Sequence, residues 1–160
     1  MIFLKAGPAS GKTGPSKARP DFYIIYQNYY VTILLAEDDI DDQELLEEAF
    51  REIDPDIKIL SFTSGRRFLH YLDGLPDNSI PELIVLDYNI PEVSGADILR
   101  HVEQKPRYQA VVKLVWSTSS ASLFEHTCMQ LGAKAYLVKP SNISGLIQMA
   151  RQMLTYVHPA

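Results

Sequence analysis

Short apolar segments and amphipathic segments alternate five times from residue 31 to the end of the sequence, and this alternation restricts the fold more than any other feature. The short apolar segments have the composition of buried strands, and the longer segments repeat apolar residues at helical spacing. Parallel strands that are joined by right-handed helical crossovers form one sheet with helices on both faces. The sequence therefore predicts an α/β domain of three layers, a doubly wound (βα)5 parallel sheet.

The boundaries of these segments leave one long connection. Residues 74–81, between the second helix and the third strand, contain two prolines and one glycine and predict a long loop. The predicted strands cover residues 31–36, 57–62, 83–87, 111–116 and 135–138. The predicted helices cover residues 41–53, 64–72, 95–103, 121–131 and 143–156.

Residues 1–30 lack the periodicity of the rest of the chain and are rich in glycine, proline and small polar residues up to residue 21. We predict an irregular N-terminal tail, followed by a single domain over residues 31–157. The segment AGPASGKT at residues 6–13 fits a loose phosphate-binding-loop pattern. Gly14 and Pro15 follow at once and would interrupt the helix that such a loop requires, so a chance match is the better interpretation.

The net charge is unevenly distributed along the chain. Residues 1–30 carry four basic side chains and one acidic side chain, a balance of +3, which leaves −8 for the remainder of the total of −5. An acidic body argues against direct binding of nucleic acid. No apolar run approaches the roughly 18 residues that a membrane span needs, so we predict a cytoplasmic protein with no membrane segment. The lone Cys128 suits a reducing compartment and is predicted to be buried.

Polar side chains lie at or just after the ends of the predicted strands. Because the carboxyl ends of parallel strands meet at one edge of a sheet, we expect these side chains to lie close together. Carboxylates that meet there favour a bound cation, and Mg²⁺ (or Mn²⁺) prefers hard oxygen ligands. An aspartate can also attack phosphorus, while a lysine and a hydroxyl stabilise the transferring group. The residues are Glu37, Asp38 and Asp39 after the first strand, Asp87 and Asn89 at the third, Ser117 and Thr118 at the fourth, and Lys139 after the fifth.

Four motifs carry a resemblance to a known family: ILLAEDD at residues 33–39, LIVLDYNIPEVSG at 83–95, VWST at 115–118 and YLVKP at 136–140. In this order they resemble the receiver domains of bacterial response regulators in two-component systems, of the single-domain type found in chemotaxis. The resemblance implies a flavodoxin-like sheet with strand order 2-1-3-4-5. It also implies a signalling phosphoprotein that catalyses only its own phosphoryl transfer and autodephosphorylation.

Carried over to this sequence, the resemblance implies that Asp87 accepts a phosphoryl group from a histidine kinase or a histidine phosphotransfer protein. Asp38 and Asp87 would contact the metal ion directly, Asn89 would contribute its backbone carbonyl, and Glu37 would act through water. Lys139 would pair with the phosphoryl group. The resemblance therefore implies a complete Mg²⁺-dependent phosphoryl-acceptor site.

A switch is implied as well. Ser117 would be the hydroxyl that responds to phosphorylation, and Tyr136 would be the aromatic side chain that changes rotamer with it. The Lys139–Pro140 peptide bond is expected to be cis. The fourth helix, fifth strand and fifth helix would form the output surface, where an unknown downstream protein binds and a homodimer would form.

Three other functions fit parts of the sequence. A phosphatase of the haloacid-dehalogenase type also places an aspartate nucleophile at a strand end beside Mg²⁺, but that family has a second aspartate two residues later, where this chain has Asn89. A binding scaffold that no longer accepts phosphate would not need the full set of acids, hydroxyl and lysine. A nucleotide-hydrolysing protein is suggested only by the pattern at residues 6–13.

Overall fold

The structure is a computed structural model that describes residues 32–158. Five strands and five α-helices alternate along these residues, and a 3₁₀-helix, Pro106–Tyr108, precedes the fourth strand. The strands are β1 (Thr32–Ala36), β2 (Lys58–Phe62), β3 (Leu83–Asp87), β4 (Val112–Ser117) and β5 (Ala135–Val138). The helices are α1 (Ile40–Ile53), α2 (Gly65–Asp73), α3 (Gly95–Glu103), α4 (Ser122–Gln130) and α5 (Ile143–Val157).

The five strands form one sheet in which all neighbours are parallel, in the order β2-β1-β3-β4-β5. This order confirms the predicted doubly wound fold and its flavodoxin-like topology. The strand order reverses between β1 and β3, and ligands of open α/β sheets bind beyond the carboxyl ends of the strands at such a point. Ala36 is in register with Leu86, and Asp87 with Trp116, so the carboxyl ends of β1, β3 and β4 lie side by side.

Both faces of the sheet are covered, because successive residues of a strand point to opposite sides. In β1, Ile33 and Leu35 belong to the core beneath α1 and α5, whereas Leu34 and Ala36 belong to the core beneath α2, α3 and α4. Full burial of one such aliphatic side chain contributes about 1.5–3 kcal/mol. Cys128 lies in the second core, as predicted, and burial raises the pKa of its thiol to about 11.

Side-chain caps fix the first residues of α1 and α3, the helices that follow β1 and β3. Asp39 accepts hydrogen bonds from the backbone N–H groups of Asp41 (2.9 Å) and Asp42 (3.2 Å). This cap starts α1 at residue 40, one residue earlier than predicted. Ser94 and Asp97 form a capping box at the start of α3. The two helices that follow β1 and β3 are therefore held firmly at their first turns.

Two local features differ from the sequence predictions. The 3₁₀-helix at Pro106–Tyr108 is not predicted from the sequence. Pro106 favours the first position of such a turn, because its φ angle is already fixed in a suitable range and the N–H that proline lacks would not be used there. The expectation of a cis Lys139–Pro140 bond is wrong, since no peptide bond among residues 32–158 is cis. Trans is the more stable isomer of most bonds to proline, and Lys139 reaches the acidic residues from this backbone.

The other predicted boundaries agree with the structure to within one residue where the structure describes them. The predicted long loop is present between α2 and β3. The predicted tail at residues 1–30, with the pattern at residues 6–13, lies outside the described residues. Within residues 32–158, no helix combines the length and the apolar character that crossing a bilayer requires.

Candidate functional site

Three carboxylates meet at the carboxyl edge of the sheet. Glu37 and Asp38 directly follow β1, Asp87 ends β3, and one oxygen from each lies within 4.8 Å of the others. Lys139 follows β5, and its ammonium group lies 3.8 Å from Asp87 Oδ1. The sheet order explains why the acids meet, since β1 and β3 are adjacent. The structure thus brings together four of the residues that the sequence analysis singles out.

Asp87 ends a strand whose residues are all buried, and only 6% of Asp87 itself is exposed. Gly95, at the start of α3, packs so closely that a Cβ at this residue would lie 2.4 Å from the Asp87 carbonyl oxygen. Burial raises the pKa of the Asp87 carboxyl, although the charge of Lys139 and the backbone N–H groups of Asn89 and Tyr88 oppose the rise. The carboxylate is therefore rigidly placed and partly dehydrated, as a nucleophile or a metal ligand would need to be.

The two acids after β1 differ in exposure. Glu37 is fully buried and accepts hydrogen bonds from Lys139 Nζ (2.7 Å) and from the backbone N–H of Asp39 (3.0 Å). Burial, assisted by the nearby charge of Asp87, raises the pKa of Glu37 to about 7 in spite of the opposing effect of Lys139. Asp38 is exposed. A cation at this edge would therefore meet one accessible carboxylate and one buried carboxyl that loses its proton near neutral pH.

Lys139 has two close acidic partners and an aromatic neighbour. Its ammonium donates to Glu37 Oε2 (2.7 Å) and to Asp42 Oδ2 (2.8 Å), and lies 4.3 Å from the centroid of the Trp116 ring. Burial acts to lower the pKa of Lys139, but the hydrogen bonds to Asp42 and Glu37 outweigh it and the pKa is raised. Neither Asp42 nor Trp116 is among the site residues predicted from the sequence. An acid in the first turn of the predicted helix, residues 41–53, is the sequence feature nearest to this role, but it does not reveal the contact with Lys139.

The predicted switch residues are joined through Ser119. Ser117, the last residue of β4, is fully buried, and its Oγ accepts a hydrogen bond from the backbone N–H of Ser119 (3.2 Å). Tyr136, on β5, is partly buried, and its hydroxyl donates to the backbone carbonyl of Ser119 (2.9 Å). The turn after β4 therefore links the two side chains. This link is not apparent from the sequence, where Ser119 and Tyr136 are 17 residues apart.

Aromatic contacts tie the residue after Asp87 to α4. The rings of Tyr88 and Phe124 are stacked, with centroids 4.3 Å apart and an interplanar angle of 20°. The rings of Tyr136 and Tyr88 meet in a T-shaped arrangement, with centroids 6.5 Å apart and an interplanar angle of 66°. Aromatic pairs of this kind contribute about 0.5–1.5 kcal/mol beyond the area they bury. The position of α4 is thus coupled to the segment that carries the acidic site.

Comparison with known families decides what kind of domain this is. A family model described as the response regulator receiver domain matches residues 33–151, a span that contains every site residue named above. The chain belongs to this family. The role of phosphoryl acceptor is general to receiver domains, which are generally signalling proteins and not enzymes.

Individual relatives cover most of the receiver. Response regulator Rcp1 of Synechocystis sp. is 29% identical over 122 residues, which cover 74% of this chain and 83% of Rcp1. The crystal structure of the phosphorylated cyanobacterial phytochrome response regulator RcpA has a TM-score of 0.74 at 25% identity, covering 81% of this chain and 95% of RcpA. The Mn²⁺-bound form of Rcp1 has a TM-score of 0.70 at 26% identity, covering 81% and 96%.

The acidic edge of this receiver fits a divalent metal ion. Receiver domains bind Mg²⁺ or Mn²⁺ at an acidic pocket, and here Glu37, Asp38 and Asp87 offer hard oxygen ligands close enough for one ion. Burial raises the pKa of Glu37 and the charge of Asp87 adds to the rise, so a cation bound at this edge would favour the ionised form of both carboxylates. Asn89 is exposed beside them. The use of its backbone carbonyl as a ligand stays a prediction.

Proposed function

We propose that this chain is a response regulator receiver that accepts a phosphoryl group on Asp87 in a Mg²⁺-dependent reaction. The donor would be a histidine kinase or a histidine phosphotransfer protein, and the signal would pass on through protein–protein contact. One observation carries the proposal. The buried Asp87 carboxylate lies within 4.8 Å of oxygens from two other acids and 3.8 Å from a lysine ammonium. Such an arrangement suits the joint binding of a cation and a phosphoryl group.

The transfer would begin when an Asp87 oxygen attacks the phosphorus atom of a phosphohistidine in the donor. A P–O bond forms while the P–N bond breaks, and the imidazole leaves with the bonding electron pair. Asp38, Asp87 and the Asn89 carbonyl, with Glu37 acting through water, would hold Mg²⁺, which supplies positive charge to the transferring group when it is bound. Lys139 would donate a hydrogen bond to a phosphoryl oxygen.

Two similar structures support this chemistry. RcpA is phosphorylated in its structure, and Rcp1 holds Mn²⁺ in the second. Both share the fold of this chain at 25% and 26% identity. We infer the same class of site for this chain because its three acids and its lysine meet at one edge of the shared fold.

Output would run through the turn after β4. The Ser117 hydroxyl would turn toward the phosphoryl group and give up its contact with the Ser119 N–H, and Tyr136 would then leave the Ser119 carbonyl for another rotamer. The output surface that we propose consists of α4, β5 and α5. Leu123 is 69% exposed and Val138 is 46% exposed on this surface, where they would meet a downstream protein or a second copy of the chain.

Other features support a signalling role over the alternatives. The net charge of −5 favours a protein partner over nucleic acid, and we propose a cytoplasmic location with residues 31–157 as the receiver unit. A haloacid-dehalogenase type of phosphatase would need an acid two residues after Asp87. The carboxamide of Asn89 cannot supply the proton that such an acid donates.

Intact-mass analysis after incubation with acetyl phosphate tests the proposal. The wild-type protein with Mg²⁺ is expected to gain one labile phosphoryl group, while Asp87→Asn and a sample treated with EDTA gain none. Asp77→Asn is a matched control, because Asp77 is a fully exposed acid in the α2–β3 loop and should leave the reaction unchanged. A wild-type protein that gains no adduct, or an Asp87→Asn variant that gains one, would refute the proposal.

A further inference from the structure

The acids around Lys139 hold it unequally. Its Nζ lies 2.7 Å from Glu37 Oε2 and 2.8 Å from Asp42 Oδ2, but 3.8 Å from Asp87 Oδ1, which is beyond hydrogen-bonding distance. Two of the three N–H groups of the ammonium are therefore engaged by residues other than the proposed acceptor. The third N–H group is left for a phosphoryl group on Asp87, and movement of the ammonium toward that group would lengthen its contacts with the other two acids.

Asp42 approaches Lys139 from a different element than the other acids do. It lies in the first turn of α1, where its backbone N–H donates to the Asp39 cap, and its side chain is 36% exposed. It does not belong to the compact group formed by the oxygens of Glu37, Asp38 and Asp87. Among residues 32–158, Lys139 is the one hydrogen-bond and ion-pair partner of its carboxylate.

We propose that Asp42 is a positioning residue that competes with the phosphoryl group for Lys139 and so restrains phosphorylation of Asp87. The inference rests on the proposed function and adds a regulatory residue to the same site. Glu37 belongs to the acidic group and can keep its contact as the lysine moves toward Asp87. Asp42 lies outside that group, so movement of the Lys139 ammonium toward Asp87 would weaken its contact with Asp42. The negative charge of Asp42 also disfavours a phosphoryl dianion nearby.

Lys139 borders a cavity and has an aromatic neighbour that reports its position. A cavity of about 250 Å³ is bordered by Asp42, Lys139 and Trp116, so the lysine side chain is not packed on every side. Trp116 is the single tryptophan of the chain, and its ring centroid lies 4.3 Å from Lys139 Nζ. Displacement of the ammonium from this ring should change the fluorescence of Trp116, because a nearby cation interacts directly with the indole π system.

A titration with beryllofluoride in the presence of Mg²⁺ tests the competition. This anion mimics a phosphoryl group on a carboxylate without any transfer step, and Trp116 fluorescence of the full chain would follow its binding. Asp42→Asn is expected to bind beryllofluoride about fivefold more tightly than wild type, the factor that corresponds to one partly exposed ion pair. It should also react faster with acetyl phosphate. Asp42→Glu, which keeps the charge, is expected to restore an affinity close to that of wild type.

Asp41→Asn is the matched control, since Asp41 carries the same charge in the same helical turn and has no contact with Lys139 in the described part of the chain. Its affinity should equal that of wild type. An Asp42→Asn affinity that is unchanged or weaker, or an equal gain in Asp41→Asn, overturns the competition while leaving the proposed function intact. If wild type and Asp42→Asn both fail to bind beryllofluoride, the proposed function fails, and this inference fails with it.

Discussion

Replacing Glu37 with glutamine should remove a large pH dependence from the stability of the metal-free protein. Burial raises the pKa of Glu37 from its ordinary value of 4.5 to about 7. A carboxyl whose pKa is raised on folding binds its proton more tightly in the folded state than in the unfolded state. The folded state is therefore favoured at low pH, and stability falls as the pH rises from the unfolded pKa through the folded pKa.

The size of the effect follows from these two pKa values. Between about pH 5.5 and about pH 8, the free energy of unfolding should fall by about 2 kcal/mol through Glu37 alone. Glu37 is fully buried, so solvent does not screen the effect away. Binding of Mg²⁺ to the ionised site should reverse the loss at the higher pH, because a ligand of the folded state alone stabilises that state.

Urea unfolding in EDTA, followed by far-UV circular dichroism at both pH values, measures the effect. The difference between wild type and Glu37→Gln cancels the contributions of histidines and other groups that titrate in the same range. Glu48→Gln, at an exposed acid of α1, should retain the wild-type pH dependence. The reasoning fails if the stability of wild type stays level or rises toward pH 8, or if Glu37→Gln loses as much stability as wild type does.

Two further predictions concern packing near the site and at the opposite edge of the sheet. Gly95→Ala should lower the free energy of unfolding by about 1–3 kcal/mol, because the new Cβ would lie 2.4 Å from the Asp87 carbonyl oxygen. Gly74→Ala is the control and should not lower it, since the nearest atom to its new Cβ lies at 3.5 Å. Equal urea midpoints for the two variants would contradict this prediction. Tyr108→Phe should also lower the free energy of unfolding by about 1–3 kcal/mol in a urea titration. The buried Tyr108 hydroxyl donates to the Leu72 carbonyl at 2.6 Å, and the substitution leaves that carbonyl without its donor. An unchanged midpoint would contradict this prediction and show that the carbonyl finds another partner.

The acidic edge could be predicted from the sequence because strand ends are local features. The run of apolar residues that stops at Asp87 indicates a buried strand with a carboxylate at its end, and the same holds for β1 and Glu37. Parallel strands place their carboxyl ends at one edge, so the pattern alone brings these acids together. The strand order itself came from the family resemblance, since the alternation of elements does not determine it.

Contacts between distant side chains could not be predicted in the same way. Asp42 and Lys139 are 97 residues apart, and their contact depends on the helix start that the Asp39 cap sets. The shared partner of Ser117 and Tyr136 is likewise a backbone group in a turn, which leaves no sequence pattern. The isomer of the Lys139–Pro140 bond was taken from the family and is wrong for this structure. Each of these features depends on packing between elements.

Borohydride reduction of the phosphorylated protein, followed by peptide mass mapping, tests most directly the central claim that Asp87 carries the phosphoryl group. Borohydride reduces an acyl phosphate of aspartate to homoserine, so the reacting residue is identified in the wild-type sequence without any substitution. We predict homoserine in place of Asp87, formed only after incubation with acetyl phosphate and Mg²⁺. Homoserine in place of Asp38 or of another acid, with Asp87 intact, would contradict the account.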